Sequence, residues 1–304
     1  MRILIVESSS ITKSTTIAHV RNAIEIYEYL KPKYDVNLVD LTSKVDPTEQ
    51  YDIILYSAAS FYTDVDNFSR LLENQKNCKI GWITNEFELF VNDFVKPHMT
   101  FMINNFDEAG IKKAHRHDQL LTTNLNTLIA KERNPWVHKK YDVCYYGTWR
   151  KYRVNYFKKY FDERLIVSTS LKNAKKFMEV GTSFNITERL SWEPNRETLN
   201  LFKASLYIED TKTHEWFNYM ANRFFEALFC NAAVFFDETC KNSIKKDMYE
   251  IDDYFVVNNP DELYTKVNNL DKQKLMRFLT INTEIALAEK KKTLADIDSF
   301  LSSL

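Results

Sequence analysis

The stretch Asn222-Arg-Phe-Phe-Glu226, continuing as Ala227-Leu-Phe-Cys-Asn-Ala-Ala-Val-Phe-Phe-Asp237, decides how this chain is read. In helical projection Arg223 and Glu226 stand three residues apart on one face, while Phe224, Leu228 and Phe229 turn toward a sheet. The helix then gives way to Ala233-Val-Phe-Phe-Asp237, a buried-strand pattern. A guanidinium and a carboxylate at the head of a helix beside a sheet's carboxyl edge suit a nucleotide sugar. Arg223 and the helix N-terminus would meet the diphosphate, and Glu226 the sugar or ribose hydroxyls. The same spacing also fits a surface salt bridge on an amphipathic helix.

Outward from this unit, short apolar runs alternate with helical periods. In the first half the strand candidates are 3–6, 36–39, 53–56, 80–83 and 100–103, with helical patterns after Thr16, near 66–74 and near 89–94. Around Asn134-Pro135-Trp136 the pattern lapses into a polar, basic connector. A second series follows, with strands at 143–146, 165–168, 206–209, 234–236 and 254–257 and helices near 153–161, 173–180, 196–203 and 216–230. From Asp261 onward the pattern is helical. Such alternation predicts parallel sheets with helices on both faces, and 304 residues accommodate two such domains.

Composition narrows the chemistry. Four glycines, Gly81, Gly110, Gly147 and Gly181, allow neither a Gly-x-Gly-x-x-Gly turn nor a Walker loop, which excludes the usual dehydrogenase and P-loop sites. Cys78, Cys144, Cys230 and Cys240 lie in apolar patterns without metal-type spacing and read as reduced core thiols. No apolar run reaches membrane-span length, so a soluble, cytoplasmic protein without a membrane partner is expected. The net charge of −1 means that any basic surface is local.

Two segments of the second half resemble the donor domain of GT-B glycosyltransferases. Cys144-Tyr-Tyr-Gly-Thr-Trp-Arg-Lys-Tyr-Arg153 is similar to its first strand and turn, and 222–237 to its glutamate-containing donor motif. The resemblance implies two doubly wound Rossmann-like domains facing a cleft: 1–140 on the acceptor side, 141–270 binding the donor, and C-terminal helices at 271–304. It makes Gly147, Thr148, Arg150, Arg153, Arg223 and Glu226 donor-binding residues, with Asn218, Tyr219 and Asn222 as further hydrogen-bonding candidates. Asn218 stands where the motif often has a first glutamate, and Cys230-Asn231-Ala232 replaces the usual Ala-x-Gly. The substrate that the resemblance implies is a nucleotide sugar, UDP-linked, with basic groups instead of a metal on the diphosphate and no other cofactor.

In the first half Glu86, within Trp82-Ile-Thr-Asn-Glu-Phe-Glu88 at a strand's carboxyl end, is the catalytic candidate that would orient an acceptor hydroxyl or take its proton. Helix capping is the competing role. Asp64 and Asp66 form an Asp-x-Asp sequence that also suits a helix N-terminus, and His115 and His117 lack a third ligand at metal spacing.

From Gly110 to Tyr160 there are twelve Lys and Arg against three acids, interleaved with Trp136, Tyr141 and Trp149. Lys112, Lys113, Arg116, Lys139 and Lys140 would suit a polyanionic acceptor such as double-stranded DNA, or form a solvated basic connector. The chain resembles the DNA glycosyltransferases of T-even-like bacteriophages, which implies transfer to hydroxymethylcytosine by a monomer, in the host cytoplasm if phage-encoded. A polysaccharide, lipid or protein acceptor, or a non-catalytic sugar-nucleotide or nucleic-acid binding module, are the alternatives.

Overall fold

A computed structural model describes residues 1–7, 9–13, 18–40, 42–57, 65–84, 98–105, 119–181, 183–192, 198–209, 219–246 and 248–304. The chain divides into two compact units, 1–129 with 289–304, and 130–288.

The first unit carries strands β1 (Arg2–Glu7), β2 (Asp35–Val39), β3 (Ile53–Ser57), β4 (Lys79–Thr84), β5 (Phe101–Asn104) and β6 (Gln119–Thr122), all pairing in parallel in the order β2-β1-β3-β4-β5-β6. Helices α1 (Ala18–Leu30) and α2 (Val65–Asn74) belong to it. The middles of its inner strands β1, β3, β4 and β5 are continuously apolar because both faces are covered. Ile3, Ile5, Ile53, Leu55, Ile83 and Ile103 enter one cluster with α1, and Leu4, Val6, Ile54, Tyr56, Ile80 and Met102 enter another with Phe68 and Leu71 of α2. Gly81 is required by its neighbour on β5: a Cβ there would lie 2.0 Å from the Phe101 ring.

The second unit repeats the plan. Strands β7 (Tyr141–Tyr146), β8 (Ile166–Ser168), β9 (Asn185–Thr187), β10 (Phe202–Tyr207), β11 (Ala233–Asp237) and β12 (Val256–Val257) form a parallel sheet in the order β12-β11-β10-β7-β8-β9. The helices are α3 (Val154–Tyr160), α4 (Leu171–Met178), α5 (Asn222–Phe229), α6 (Lys241–Lys246), α7 (Pro260–Asn268) and α8 (Lys272–Ser303). In this doubly wound order the reversal falls between β7 and β10, where open α/β sheets bind ligands beyond the strands' carboxyl ends.

Three sequence expectations change. Of the helix expected over 196–203, the described residues 198–203 form instead a short 3-10 turn, Leu199–Leu201, leading into β10, because Phe202 and Ala204 are buried by the sheet. β6 and β9 were not anticipated; four and three residues long, with little burial in β9, they carry almost no periodic signal. The C-terminal segment is one 32-residue helix whose last part belongs to the first unit, where Leu294, Ile297 and Leu301 enter the α1 core. Lys290 there meets Glu25 at 2.7 Å, and Asp298 meets Lys33 at 2.6 Å.

Candidate donor site

The site grows from the β7–β10 reversal. β7 ends at Gly147, whose φ of +155° and close surroundings both favour glycine: a Cβ would stand 3.3 Å from the Tyr145 hydroxyl and 3.6 Å from Nη2 of Arg223. The turn is held from β8, since Thr169 Oγ1 donates to the Gly147 carbonyl at 3.0 Å. Thr148 and Arg150 follow on the surface, and a 3-10 turn, Lys151–Arg153, opens α3.

Beyond β10, Glu209 is buried and paired with two guanidiniums. Arg153 donates through Nη2 to its Oε2, and Arg223 Nη2 lies 3.0 Å from its Oε1. Arg223 also donates through Nη1 to the Ile208 carbonyl at 3.1 Å and lies over the rings of Tyr145 and Tyr207, 5.6 and 5.8 Å from their centroids. Burial is the largest influence and works against both charges, but Glu209 together with Tyr145, and with Tyr207 at Arg223, outweighs it, so both guanidiniums stay above their ordinary pKa. Two guanidiniums converging on one carboxylate beside a glycine turn give a corner rich in charged donors, the local chemistry of a phosphate site.

Helix α5 carries the other groups. Its approach is fixed by the Ala221 amide, which donates to the Tyr207 hydroxyl at 2.9 Å. It ends at Asn231, whose φ of +54° supplies the left-handed residue that closes a helix. Asn231 is also pinned by its Nδ2, which donates to the Asn134 carbonyl at 2.8 Å. Tyr146 donates to the Arg223 carbonyl. Burial pushes Glu226 up to about 7, against the pull of Arg189, Arg223 and the Tyr146 hydroxyl. At the head of the helix Asn222 keeps its Oδ1 buried without a hydrogen-bond partner, and Tyr219 is partly buried just before it.

Gly147, Arg153 and Arg223 thus come together around Glu209, with Glu226 one turn along α5 from Arg223. Sequence reasoning missed Glu209, Tyr145 and Arg189. Glu209 was visible only as the last residue of a strand pattern. Glu86, Lys112, Lys113, Arg116, Asn218, Asp64, His115 and His117 lie outside the described residues; Asp66 is exposed in the first turn of α2. Lys139 is turned inward: its ammonium donates to the carbonyls of Asn200 at 2.8 Å and Cys230 at 3.1 Å, and burial pushes it down to about 8. Lys140 is exposed. Among the described residues no three His, Cys, Asp or Glu side chains could hold a metal ion, and no helix is long and apolar enough to cross a membrane.

By sequence the chain matches no family model and no curated protein. By structure it is similar over 99% of its length to 99% of T4 phage BGT in complex with UDP and Mn2+, at 15% identity and a TM-score of 0.70. The fold is GT-B. The DNA-modifying enzyme beta-glucosyltransferase, solved with and without uridine diphosphoglucose, matches with the same identity, coverage and TM-score. An alpha-glucosyltransferase in complex with UDP and a 13-mer DNA containing an HMU base is similar over 99% of each chain, at 9% identity and a TM-score of 0.63.

Proposed function

We propose that this protein is a glucosyltransferase that moves glucose from UDP-glucose to the hydroxymethyl group of a modified pyrimidine in DNA. The observation that carries the donor half is the pairing of Arg153 and Arg223 with the single carboxylate of Glu209 beside Gly147, at the strand-order reversal of the second sheet. The likeness of the whole fold to solved enzymes bound to UDP and to DNA supports the acceptor half.

In this reading Arg223 and the backbone at Gly147 and Thr148 receive the diphosphate, with Arg150 adding charge from the surface and Arg153 holding Glu209 in place. Their positive charge is felt most as the leaving diphosphate gains charge, so it lowers the barrier as well as binding the donor. Glu226 accepts from donor hydroxyls, and Asn218, Tyr219 and Asn222 add hydrogen bonds. Glu86 contributes a carboxylate that orients the acceptor hydroxyl. Lys112, Lys113, Arg116 and Lys140 contact DNA phosphates, and the target base leaves the stack to reach the donor. The protein acts as a soluble monomer.

Labelled UDP-glucose offered with hydroxymethylcytosine DNA, unmodified DNA and a glycan extract tests this directly. Label should enter only the hydroxymethylated DNA. Transfer to glycan alone would move the acceptor assignment, and retention of UDP binding with neither transfer nor donor hydrolysis would make the protein a binding module.

A further inference from the structure

Glu7 ends β1 with its side chain wholly buried at the carboxyl edge of the first sheet. The order β2-β1-β3 puts that sheet's reversal between β1 and β3, so Glu7 occupies the place that ligand-binding groups take in open α/β sheets. Its Oε1 accepts from the Ser9 amide at 3.0 Å and lies 3.1 Å from Nδ1 of His19, the second residue of α1. The two partners differ in exposure: the Glu7 side chain is 0% accessible and the His19 side chain 33%.

A carboxylate at Nδ1 fixes the imidazole tautomer. In the neutral ring the Nδ1 proton is donated to Glu7, which leaves the lone pair on Nε2. A pair that served packing alone would gain by covering the ring as well as the acid. Here the acid is sealed and the base left accessible, which is the arrangement of an orienting carboxylate behind a general base.

We infer that His19 takes the proton of the acceptor hydroxyl, with Glu7 as its positioning residue. This rests on the transferase reading above. As the hydroxyl oxygen bonds to the anomeric carbon, the bond from that carbon to the diphosphate oxygen breaks and its electron pair leaves on UDP. The hydroxyl proton passes to Nε2 of His19 and is later released to water. Glu86 then orients the acceptor.

The test uses the full chain with UDP-glucose, measuring both transfer to hydroxymethylcytosine DNA and hydrolysis of the donor by water. His19→Gln should lower kcat by roughly 10²–10⁴-fold while the KM values for donor and DNA change by less than about threefold. Added imidazole should restore part of the activity of His19→Ala. Glu7→Gln should cost less, and nitrogen NMR of the His19 ring should show the Nδ1-protonated tautomer in the unaltered protein and a mixture in that variant. A kcat for His19→Gln equal to that of the unaltered chain, or an Nε2-protonated ring in the unaltered protein, overturns the assignment. If the unaltered chain hydrolyses UDP-glucose yet modifies no DNA, the acceptor reading fails and His19 is still judged by hydrolysis. If it does neither, both fall.

Discussion

Arg223 and Glu209 meet at 3.0 Å inside the second unit, and the same carboxylate also receives Arg153. Three buried charges on α5, on the turn into α3 and on the chain beyond β10 therefore depend on one another. The pair ties α5 to the chain beyond β10, and through Arg153 it ties in the turn into α3 as well.

Removing the shared acid should accordingly destabilise the protein. Glu209→Ala takes from Arg153 and Arg223 the carboxylate they share, a change that costs about 3–5 kcal/mol in comparable buried networks. Urea unfolding measures it. A loss below about 1 kcal/mol, the level of an exposed pair, would show that the arginines are held by other contacts.

Arg223→Ala acts on binding and chemistry together. If the guanidinium faces the diphosphate as proposed, its interaction strengthens as that group leaves, so kcat should fall by about 10²–10³-fold and the UDP-glucose KM should rise. Steady-state kinetics on a variant with an unaltered circular dichroism spectrum would check this. Unchanged kcat/KM would remove the diphosphate role of Arg223.

Much of this site was legible in the sequence because it is local. Gly147 to Arg153 and Arg223 to Glu226 each lie within one turn and one helix, so residue spacing alone brings their side chains to one end of the sheet. Glu209 was not legible, since nothing within ten residues of a strand end says that two distant arginines converge on it. The same limit hid the Glu7–His19 pair, which joins a strand end to a helix twelve residues later. It also hid the packing of Leu294, Ile297 and Leu301 against α1, contacts between the two ends of the chain that no window of sequence contains. Lys139 shows a different limit: a lysine that the sequence counts as surface charge has its ammonium on the carbonyls of Asn200 and Cys230, contacts that local sequence does not reveal.

Glu226 should give the protein a pH-dependent donor affinity. Its carboxyl is raised to about 7 in the folded chain by burial, from an ordinary 4.5. The folded state thus holds its proton more tightly than the unfolded one, so the stability from this group is present at acid pH and is lost as pH rises through about 7. Donor affinity should move the other way, because only the ionised carboxylate accepts from hydroxyls on all its lone pairs. Calorimetry with UDP-glucose at several pH values should show affinity rising across neutrality, and Glu226→Gln should flatten both curves. A pH-independent affinity in the unaltered chain would return Glu226 to a salt-bridge role.

Chelation separates the arginine cluster from a metal. UDP should bind in EDTA, since Arg153 and Arg223 bring two guanidiniums against the one carboxylate of Glu209. A structural relative has been solved with UDP and Mn2+, so manganese is the ion to add back. Complete loss of UDP binding in EDTA, restored by manganese, would make the diphosphate site metal-dependent and bring Asp64 and Asp66 back into consideration.

DNA binding tests the acceptor assignment most sharply, and the two lysines after the connector should part company. Duplex DNA should bind with a steep inverse dependence on salt, each lost phosphate contact reducing the logarithmic slope by about one unit. Lys140→Glu reverses an exposed charge and should weaken DNA binding and lower that slope, with donor hydrolysis nearly unchanged. Lys112→Glu and Lys113→Glu should do the same. Lys139→Glu should instead destabilise the second unit, because it replaces a donor to the Asn200 and Cys230 carbonyls by an acceptor facing them. Binding should vary little with flanking sequence, since phosphate contacts position a duplex without reading it. Salt titrations followed by fluorescence anisotropy, paired with urea unfolding of each variant, resolve these effects. Equal loss of DNA affinity in Lys139→Glu and Lys140→Glu at unchanged stability would place both ammonium groups on the nucleic acid and undo the inward assignment of Lys139.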